Sequence, residues 1–370
     1  MSKSDSKKVK KEVLGSDRYK ERVFDKLILI MRINETSPAD SSGISASGKK
    51  KKREIPSYTS DNGRLGYHTF PTNEQAFKAV VADAYDKQWN PRDLERRIDV
   101  RGNLWTHLES LSDERVVKIA DMAFPGEEHD SVNQDLKEAL VEKWYWALQV
   151  ITNHASSAEQ LAVSPLSLMV TRFKKSPTIQ HAATTFLRDE AMHSDLFRYY
   201  LENNLGGVVI PRQDQIDSFN TLEFPLSKLT PTGTLFLGLV IEVIGGSFFE
   251  FFAQRAPDPL IRQMCKQIAE IDERRHIKFC QELYKVMQDP ENRTSTGRRW
   301  EVFRNKILID KVAQSLYKQE SDPNEPLMQA VRSFGIDPKE LLDYTFDRLR
   351  GELAVIEFEL DQKIISKYKI

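Results

Sequence analysis

One spacing of acidic and imidazole side chains occurs twice in this chain and constrains its fold more than any other feature. Glu159 precedes an Asp-Glu-x-x-His segment at 189–193, and the glutamate of that segment, Glu190, lies 31 residues further on. Glu242 precedes a second Asp-Glu-x-x-His segment at 272–276, and Glu273 again lies 31 residues further on. The repetition predicts two copies of one local structure.

The spacing fits an antiparallel helix hairpin. Helical residues three apart lie on one face, about 5–6 Å apart at Cβ. The glutamate and histidine of each segment can therefore reach the same metal ion. Breaking residues lie midway between the two glutamates of each copy, at Ser176 and Pro177 and again at Pro257 and Pro259. Each lone glutamate is therefore predicted to face the Glu-x-x-His segment at a similar depth.

The two hairpins together supply four carboxylates and two imidazoles. This oxygen-rich set suits iron or manganese, and the His-Glu-x-x-His pattern of zinc peptidases is absent from the sequence. Inward-facing glutamates and Glu-x-x-His segments build dinuclear sites in four-helix bundles. A plain helical bundle with coincidental acids is the alternative. The predicted metal ligands are Glu159, Glu190, His193, Glu242, Glu273 and His276.

Residues beside the predicted ligands add detail. Residues 235–241 are all apolar or glycine, so Glu242 is expected to be buried and to need a compensating cation. Asp189 and Asp272 precede the ligand glutamates, and each is expected to accept a hydrogen bond from the histidine of the opposite hairpin. Gly245 and Gly246 follow on the face of Glu242. They either permit close helix packing or leave a cavity for dioxygen or substrate.

The order of these segments predicts an all-α fold, a ferritin-like four-helix bundle with additional N- and C-terminal helices. The bundle helices are expected near 136–159, with Pro165 kinking or ending the first, and at 177–204, 230–255 and 259–287. A long link joins the two hairpins, as in ferritin-like bundles. Four regions are predicted: a flexible basic N-terminal segment (1–60), a loop-rich capping region (61–135), the di-metal bundle (136–290) and C-terminal helices (291–370). The last region, with helices at 300–319 and 339–370, is expected to pack outside the core.

Composition indicates an intracellular enzyme. The chain has 370 residues, 40% of them hydrophobic, and a net charge of −1, so it can bury a large core. Its two cysteines, Cys265 and Cys280, lie about 22 Å apart on one predicted helix, too far for a disulfide. No uninterrupted apolar run reaches 18 residues, so a membrane span is not expected. The basic run at 49–53 lacks interleaved aromatic residues, which disfavours nucleic acid as a partner. The predicted location is the cytoplasm.

The repeated Glu…Asp-Glu-x-x-His pattern resembles the non-haem di-iron carboxylate superfamily over about residues 136–290. Having Asp-Glu-x-x-His in both halves is most similar to N-oxygenases of the p-aminobenzoate N-oxygenase type. The six predicted ligands match the ligand motif of that family one by one. The additional histidine ligand of that enzyme type falls at Ala269 here.

Acyl-carrier-protein desaturases are the second resemblance. Residues 272–276 and 193–196 are similar to their two motif regions, and their ligand set also has only two histidines. Ribonucleotide reductase small subunits share the ligands but carry a radical-forming tyrosine where this chain has Phe197. Radical generation is therefore ranked lower, and so is a ferritin-type ferroxidase role, because ferritins have a shorter chain and a shell-forming surface. Phe197, Gly245 and Gly246 are the predicted pocket residues.

The resemblance implies a dioxygen-dependent monooxygenase or desaturase. Amine N-oxygenation of a small organic substrate is favoured, and desaturation of an acyl chain on acyl carrier protein is the alternative. Two iron ions are the expected cofactor, with a manganese–iron pair left open. Dioxygen would be the co-substrate and an external protein the electron donor. A homodimer is left open.

Overall fold

Helices make up the architecture wherever the chain is described. The computed structural model describes residues 71–172, 177–210, 231–288 and 295–360, and these contain helices and no β-strand. The predicted all-α class is confirmed for this part of the chain. The predictions for the basic segment 1–60, for most of the link between the hairpins and for residues 361–370 lie outside the described residues.

We number the described α-helices in chain order. A 3₁₀ turn at Pro91–Asp93 lies between α1 and α2, and a π-helix at Ile268–Glu273 joins α7 to α8. The α-helices are α1 (Pro71–Asp86), α2 (Val100–Glu109), α3 (Asp113–Ala123), α4 (Gln134–Arg172), α5 (Pro177–Asn204), α6 (Pro231–Arg255), α7 (Pro259–Gln267), α8 (Arg274–Gln288), α9 (Ser295–Ser321), α10 (Pro326–Ser333) and α11 (Pro338–Ala354).

Local sequence explains where several helices begin and end. Proline, whose missing N–H costs nothing in the first turn, opens α1, α5, α6, α7, α10 and α11. Before α7, the Asp258 side chain accepts hydrogen bonds from the amides of Leu260 and Ile261. α5 is followed by Gly206 with φ of 64°, a conformation that favours glycine. The bounds of α5 and the start of α6 agree with the sequence prediction.

The helices that carry the predicted ligands form two antiparallel pairs. In the first pair, residue numbers fall along α4 as they rise along α5: Gln180 contacts Val170, Ser194 contacts Ser156, and Leu205 contacts Gln149. In the second pair, α6 runs against α7, the π-helix and α8, since Gly246 lies beside Glu273 and Gly238 beside Cys280. Both predicted hairpins are therefore present.

Two sequence predictions about the last helix are wrong, and one of the two alternatives for Pro165, a kink or an end of the helix, is excluded. α4 does not end at Pro165 but continues to Arg172, because a proline removes one backbone hydrogen bond while packing against α5 continues beyond it. The last helix was expected to reach residue 370, yet α11 ends at Ala354, and Glu357 adopts a φ of 57° that no helix allows. α11 also packs in the core, where Phe346 and Leu349 are fully buried.

Two apolar clusters form the core, and they meet the four ligand-bearing helices at opposite ends. One cluster includes α5 residues 196–201 and α7 residues 260–265; the other includes α5 residues 179–186 and α8 residues 277–287. The Asp-Glu-x-x-His segments fall between these stretches. We call this buried polar zone the ligand layer.

α6 contributes most of its surface to this core. Residues Leu235–Arg255 are long and apolar enough to cross a membrane by length and composition alone, with a mean hydropathy of 1.9. Two thirds of that stretch is buried inside the protein, as in a core helix, and it carries Glu242 into the ligand layer.

Candidate metal centre

The structure brings all six predicted ligands together in the ligand layer. None of the six residues exceeds 8% exposure, and the most accessible are the lone glutamates, Glu159 and Glu242. α4 and α6 each supply one of these glutamates. α5 supplies Glu190 and His193 from one face, and the π-helix and α8 supply Glu273 and His276. The helix geometry inferred from the sequence accounts for this convergence.

The six residues form two overlapping groups. Within each group, one potential ligand atom from every residue lies within 4.8 Å of all the others. Glu273 belongs to both groups, so its carboxylate lies between the two positions. Candidate position 1 comprises Glu159, His193 and Glu273, and candidate position 2 comprises Glu190, Glu242, Glu273 and His276.

Both imidazoles present the same nitrogen to the glutamates. Nδ1 of His193 lies 3.6 Å from Oε2 of Glu159. Nδ1 of His276 lies 3.0 Å from Oε1 of Glu190 and 3.2 Å from Oε2 of Glu242. Each ring therefore turns one nitrogen toward the glutamates and the other away from them.

The second nitrogen of each imidazole faces an aspartate from the opposite hairpin. Nε2 of His193 lies 2.9 Å from Oδ2 of Asp272, and Nε2 of His276 lies 3.4 Å from Oδ2 of Asp189. This is the cross-hairpin arrangement expected from the sequence. An acceptor at this nitrogen fixes the tautomer and orientation of a ligating histidine, so that Nδ1 is free to bind metal.

Three further side chains hold the two aspartates. Trp89 Nε1 donates to Oδ2 of Asp272 at 2.7 Å. Arg188 Nη2 donates to Oδ1 of Asp189 at 2.8 Å. Arg275, itself buried, donates from Nη2 to Asp189 and to Asp272. Both buried carboxylates therefore accept hydrogen bonds from other side chains besides the two histidines.

Crowding and burial shift the carboxylate pKa values in the ligand layer. Burial, followed by the charges of Glu159 and Glu242, raises the pKa of Glu190 well above its usual value. Burial and the charge of Glu273 do the same to the pKa of Glu242. Burial and the charge of Glu159 raise the pKa of Glu273 to about 8. Four adjacent glutamates cannot all ionise here without added positive charge.

The imidazoles and aspartates respond to the same neighbours. Burial opposes a charged His193, but the hydrogen bond to Asp272 and the negative charges of Asp272 and Glu159 outweigh it and raise its pKa well above the usual value. Burial dominates at His276 and lowers its pKa. Burial also opposes ionisation of Asp189 and Asp272, yet their histidine partners hold both aspartate pKa values below normal.

The donor set fits a pair of metal ions. Three buried atoms at its centre have no hydrogen-bond partner among the described residues: Oε1 of Glu190, Nδ1 of His193 and Oε2 of Glu273. An unpaired buried polar atom is costly, and each of these atoms is a normal metal ligand. Two divalent cations would also offset the glutamate charges. The buried glutamate and histidine groups are thus compatible with a di-metal site.

The predicted pocket residues differ in their surroundings. A Cβ atom at Gly246 would lie 3.3 Å from Nη1 of Arg348 and 3.3 Å from Cβ of Glu273, so this glycine permits close packing. At Gly245 a Cβ atom would meet no atom within 4 Å. Phe197 is fully buried and stacks on Phe249, with ring centroids 5.6 Å apart. A role in substrate binding remains a prediction for all three residues.

Four residues near the ligand layer were not predicted from the sequence, and one of them is Arg188, which is adjacent to its partner Asp189. Trp89 is 183 residues from its partner Asp272, and no local pattern indicates such a contact. Arg348 reaches Gly246 from α11 and pairs with Glu250 at 3.0 Å. Arg275 lies inside the second Asp-Glu-x-x-His segment, three residues after Asp272, and this helical spacing could have indicated their contact.

The chain matches none of the protein-family models and none of the curated proteins with which it was compared. Functional inference therefore depends on the chemistry of the ligand layer.

Proposed function

We propose that this protein is a non-haem di-iron enzyme that uses dioxygen to oxidise a small organic substrate. The main support for this proposal is the orientation of the two imidazoles. Each has Nδ1 toward the glutamates and Nε2 toward an aspartate of the other hairpin. A salt bridge inside an ordinary helical bundle does not require that orientation twice. Four glutamates favour iron or manganese over zinc.

The arrangement of the ligand helices supports a ferritin-like four-helix bundle within the larger helical fold. Two antiparallel hairpins contribute inward-facing glutamates, one helix of each also carries a Glu-x-x-His pair, and a long segment links α5 to α6. The remaining helices pack around this unit. α11 borders α6, and the turn before α2 brings Trp89 to the ligand layer.

Amine N-oxygenation is the favoured reaction. One oxygen atom of dioxygen enters the N–O bond of a hydroxylamine, and the other leaves as water with two electrons and two protons from an external donor. Bound iron would supply the redox chemistry with dioxygen. The protein groups hold the ions, and the flanking apolar clusters limit water in the ligand layer. Asp-Glu-x-x-His in both hairpins is the feature that supports this reaction over others.

Desaturation of an acyl chain on acyl carrier protein is the second candidate. Ala269 favours it, because this buried residue of the π-helix stands where the N-oxygenases carry a further histidine ligand. That reaction removes two hydrogen atoms from the chain, and with two donor electrons and two protons it converts dioxygen to two molecules of water. Radical generation and ferroxidase activity are ranked below both.

An isotope experiment separates these reactions. Iron-loaded, chemically reduced protein is incubated with ¹⁸O₂ and either arylamines or acyl carrier protein thioesters, and products are analysed by mass spectrometry. Label in an N–O bond is the expected result. An unlabelled acyl product two hydrogens lighter would instead establish desaturation. Iron oxidation that leaves every substrate unchanged would indicate a ferroxidase or radical-generating protein. Glu242→Ala protein treated identically controls for unbound iron.

A further inference from the structure

Arg275 occupies a distinctive place beside the ligand layer. It is 4% exposed, and its Nη2 atom donates to Oδ2 of Asp189 at 2.6 Å and to Oδ1 of Asp272. Its Nε and Nη1 atoms form no hydrogen bond with any residue in the described ranges. This buried guanidinium therefore bonds to two aspartates, one from each hairpin.

The same two aspartates accept from the two candidate ligand imidazoles. Asp272 faces Nε2 of His193, and Asp189 faces Nε2 of His276. Arg275 thus stands at the centre of a chain of polar contacts that runs from one imidazole, through both aspartates, to the other. Of these two aspartates, Trp89 contacts only Asp272 and Arg188 contacts only Asp189.

The chemistry of metal binding explains why an arginine between the two aspartates would be useful. A histidine that binds metal through Nδ1 is neutral, and its Nε2–H group donates to the aspartate. Each aspartate must stay ionised to accept well, and two buried carboxylates that share one donor repel each other. A guanidinium keeps both aspartates ionised and offsets their repulsion, because it cannot lose its proton. Its planar nitrogens can also bond two oxygens at fixed angles.

We propose that Arg275 is a positioning residue that orients both candidate metal-binding imidazoles at once and thereby couples the affinities of positions 1 and 2. This inference rests on the proposed di-metal function. A purely structural ion pair between hairpins would affect folding stability. A positioning residue affects metal affinity, and this one should affect both positions together.

The substitution Arg275→Met tests the inference in the full-length protein. Anaerobic titration with Fe(II) against a competing chelator gives the two binding constants, and Mn(II) paramagnetic resonance reports whether two ions occupy neighbouring sites. Loss of a group that holds ligand orientation typically weakens metal binding by about 10–100-fold. We expect a loss of that order at both positions for Arg275→Met. Asp189→Asn should weaken position 2 much more than position 1.

Two matched variants accompany the test. Arg274→Met makes the same change at the adjacent, exposed position of α8 and should leave both binding constants unchanged. Arg275→Lys keeps the charge but has no planar group to serve two carboxylates, so we expect weakened binding at both positions. If the methionine variant does not fold, the metal affinities of the lysine variant test whether Arg275 acts on both positions.

The outcomes distinguish this inference from the function on which it rests. Wild-type protein that binds fewer than two ions overturns both. Wild-type protein that binds two ions, together with an Arg275→Met or Arg275→Lys variant that binds both with unchanged affinity, overturns only the role of Arg275. Weakening confined to one position contradicts the coupling of the two positions. Lower thermal stability without any change in metal affinity assigns Arg275 to folding alone.

Discussion

The two hairpins carry the same ligand pattern but place their imidazoles in different surroundings. His193 of the first hairpin lies 2.9 Å from Asp272, which also accepts a hydrogen bond from Trp89. Position 1 has one carboxylate of its own, Glu159, besides the shared Glu273. The charges around His193 raise its pKa well above the usual value although burial opposes this.

His276 of the second hairpin has different neighbours. Its ring stacks on Phe186 with centroids 3.8 Å apart, its distance to Asp189 is longer, at 3.4 Å, and burial lowers its pKa. A π-helix precedes it, and such segments often occur at functional sites, whereas α5 is a regular helix. One repeated sequence pattern therefore forms two chemically distinct positions, because the surrounding residues are not repeated.

The largest expected effect concerns the carboxylate that both positions share. Glu273→Ala removes a group common to positions 1 and 2, so metal uptake should fall from about two ions per chain to less than one. Glu242→Ala should lose the ion at position 2 and leave position 1 able to bind. Elemental analysis after anaerobic Fe(II) loading measures both. His154→Ala, which lies five residues before Glu159 and is not among the candidate ligands, should keep two ions, and equal losses in all three variants would contradict the ligand assignment.

Proton competition should be the next largest effect. Burial and the Glu159 charge raise the pKa of Glu273 from 4.5 to about 8, so the metal-free folded protein binds more protons than the unfolded chain between these values. Its stability should fall as pH rises through this window. Metal must displace that proton, so metal affinity should increase with pH.

Thermal unfolding with and without Mn(II) at pH 6 and pH 8 checks this expectation. The stabilisation by metal should be greater at pH 8, and Glu273→Gln, which cannot ionise, should reduce the difference between the two pH values. A metal-induced shift that is equal at both pH values, or larger at pH 6, would show that Glu273 does not hold the displaced proton.

Features set by local sequence could be predicted, and those set by distant contacts could not. The ends of α5 follow from Pro177 and from the glycines after Asn204. The end of α4 does not follow from Pro165, since packing against α5 outweighs one lost hydrogen bond. Burial of α11 likewise depends on α6, a partner distant in sequence.

The candidate site divides in the same way. Helical spacing was sufficient to assemble the six ligands, because three-residue periodicity fixes which side chains share a face. The aspartate partners could be predicted from the need of a ligating imidazole for an acceptor. The contact of Trp89 could not, because it depends on how a segment 183 residues away packs against Asp272. The different pKa shifts of His193 and His276 also could not be predicted, because the repeated pattern does not show that burial dominates at His276 and charged neighbours at His193.

A moderate effect should separate the two aspartates. Asp272→Asn and Asp189→Asn each replace a charged acceptor by a neutral one, and such changes commonly weaken metal binding by about 10–100-fold. The loss should be larger for Asp272→Asn, because the contact of Asp272 with His193 is shorter than that of Asp189 with His276. In addition, Arg188 bonds to Asp189 and so offsets part of the charge of that aspartate only. Competitive Fe(II) titration resolves the two positions. Equal losses, or a larger loss for Asp189→Asn, would remove this distinction between the hairpins.

The smallest effect concerns two adjacent glycines that only the second hairpin possesses. Gly245 and Gly246 follow Glu242 by three and four residues, where the first hairpin has Ala162 and Val163 after Glu159. Alanine in a helix is favoured over glycine by up to about 1 kcal/mol. A Cβ atom at position 245 meets no neighbour, so Gly245→Ala should stabilise the metal-free protein by about that amount.

Gly246→Ala should behave differently although it lies one residue away. Its Cβ atom would lie 3.3 Å from both Arg348 and Glu273, and overpacking of this kind typically costs about 1–3 kcal/mol, which would cancel or exceed the helical gain. Chemical denaturation of the two variants gives the difference directly. Metal content should remain intact in both, and turnover should fall in Gly246→Ala, since Glu273 must shift. Equal stabilisation by both substitutions would show that close packing against Arg348 and Glu273 is not why the second hairpin has glycine at position 246.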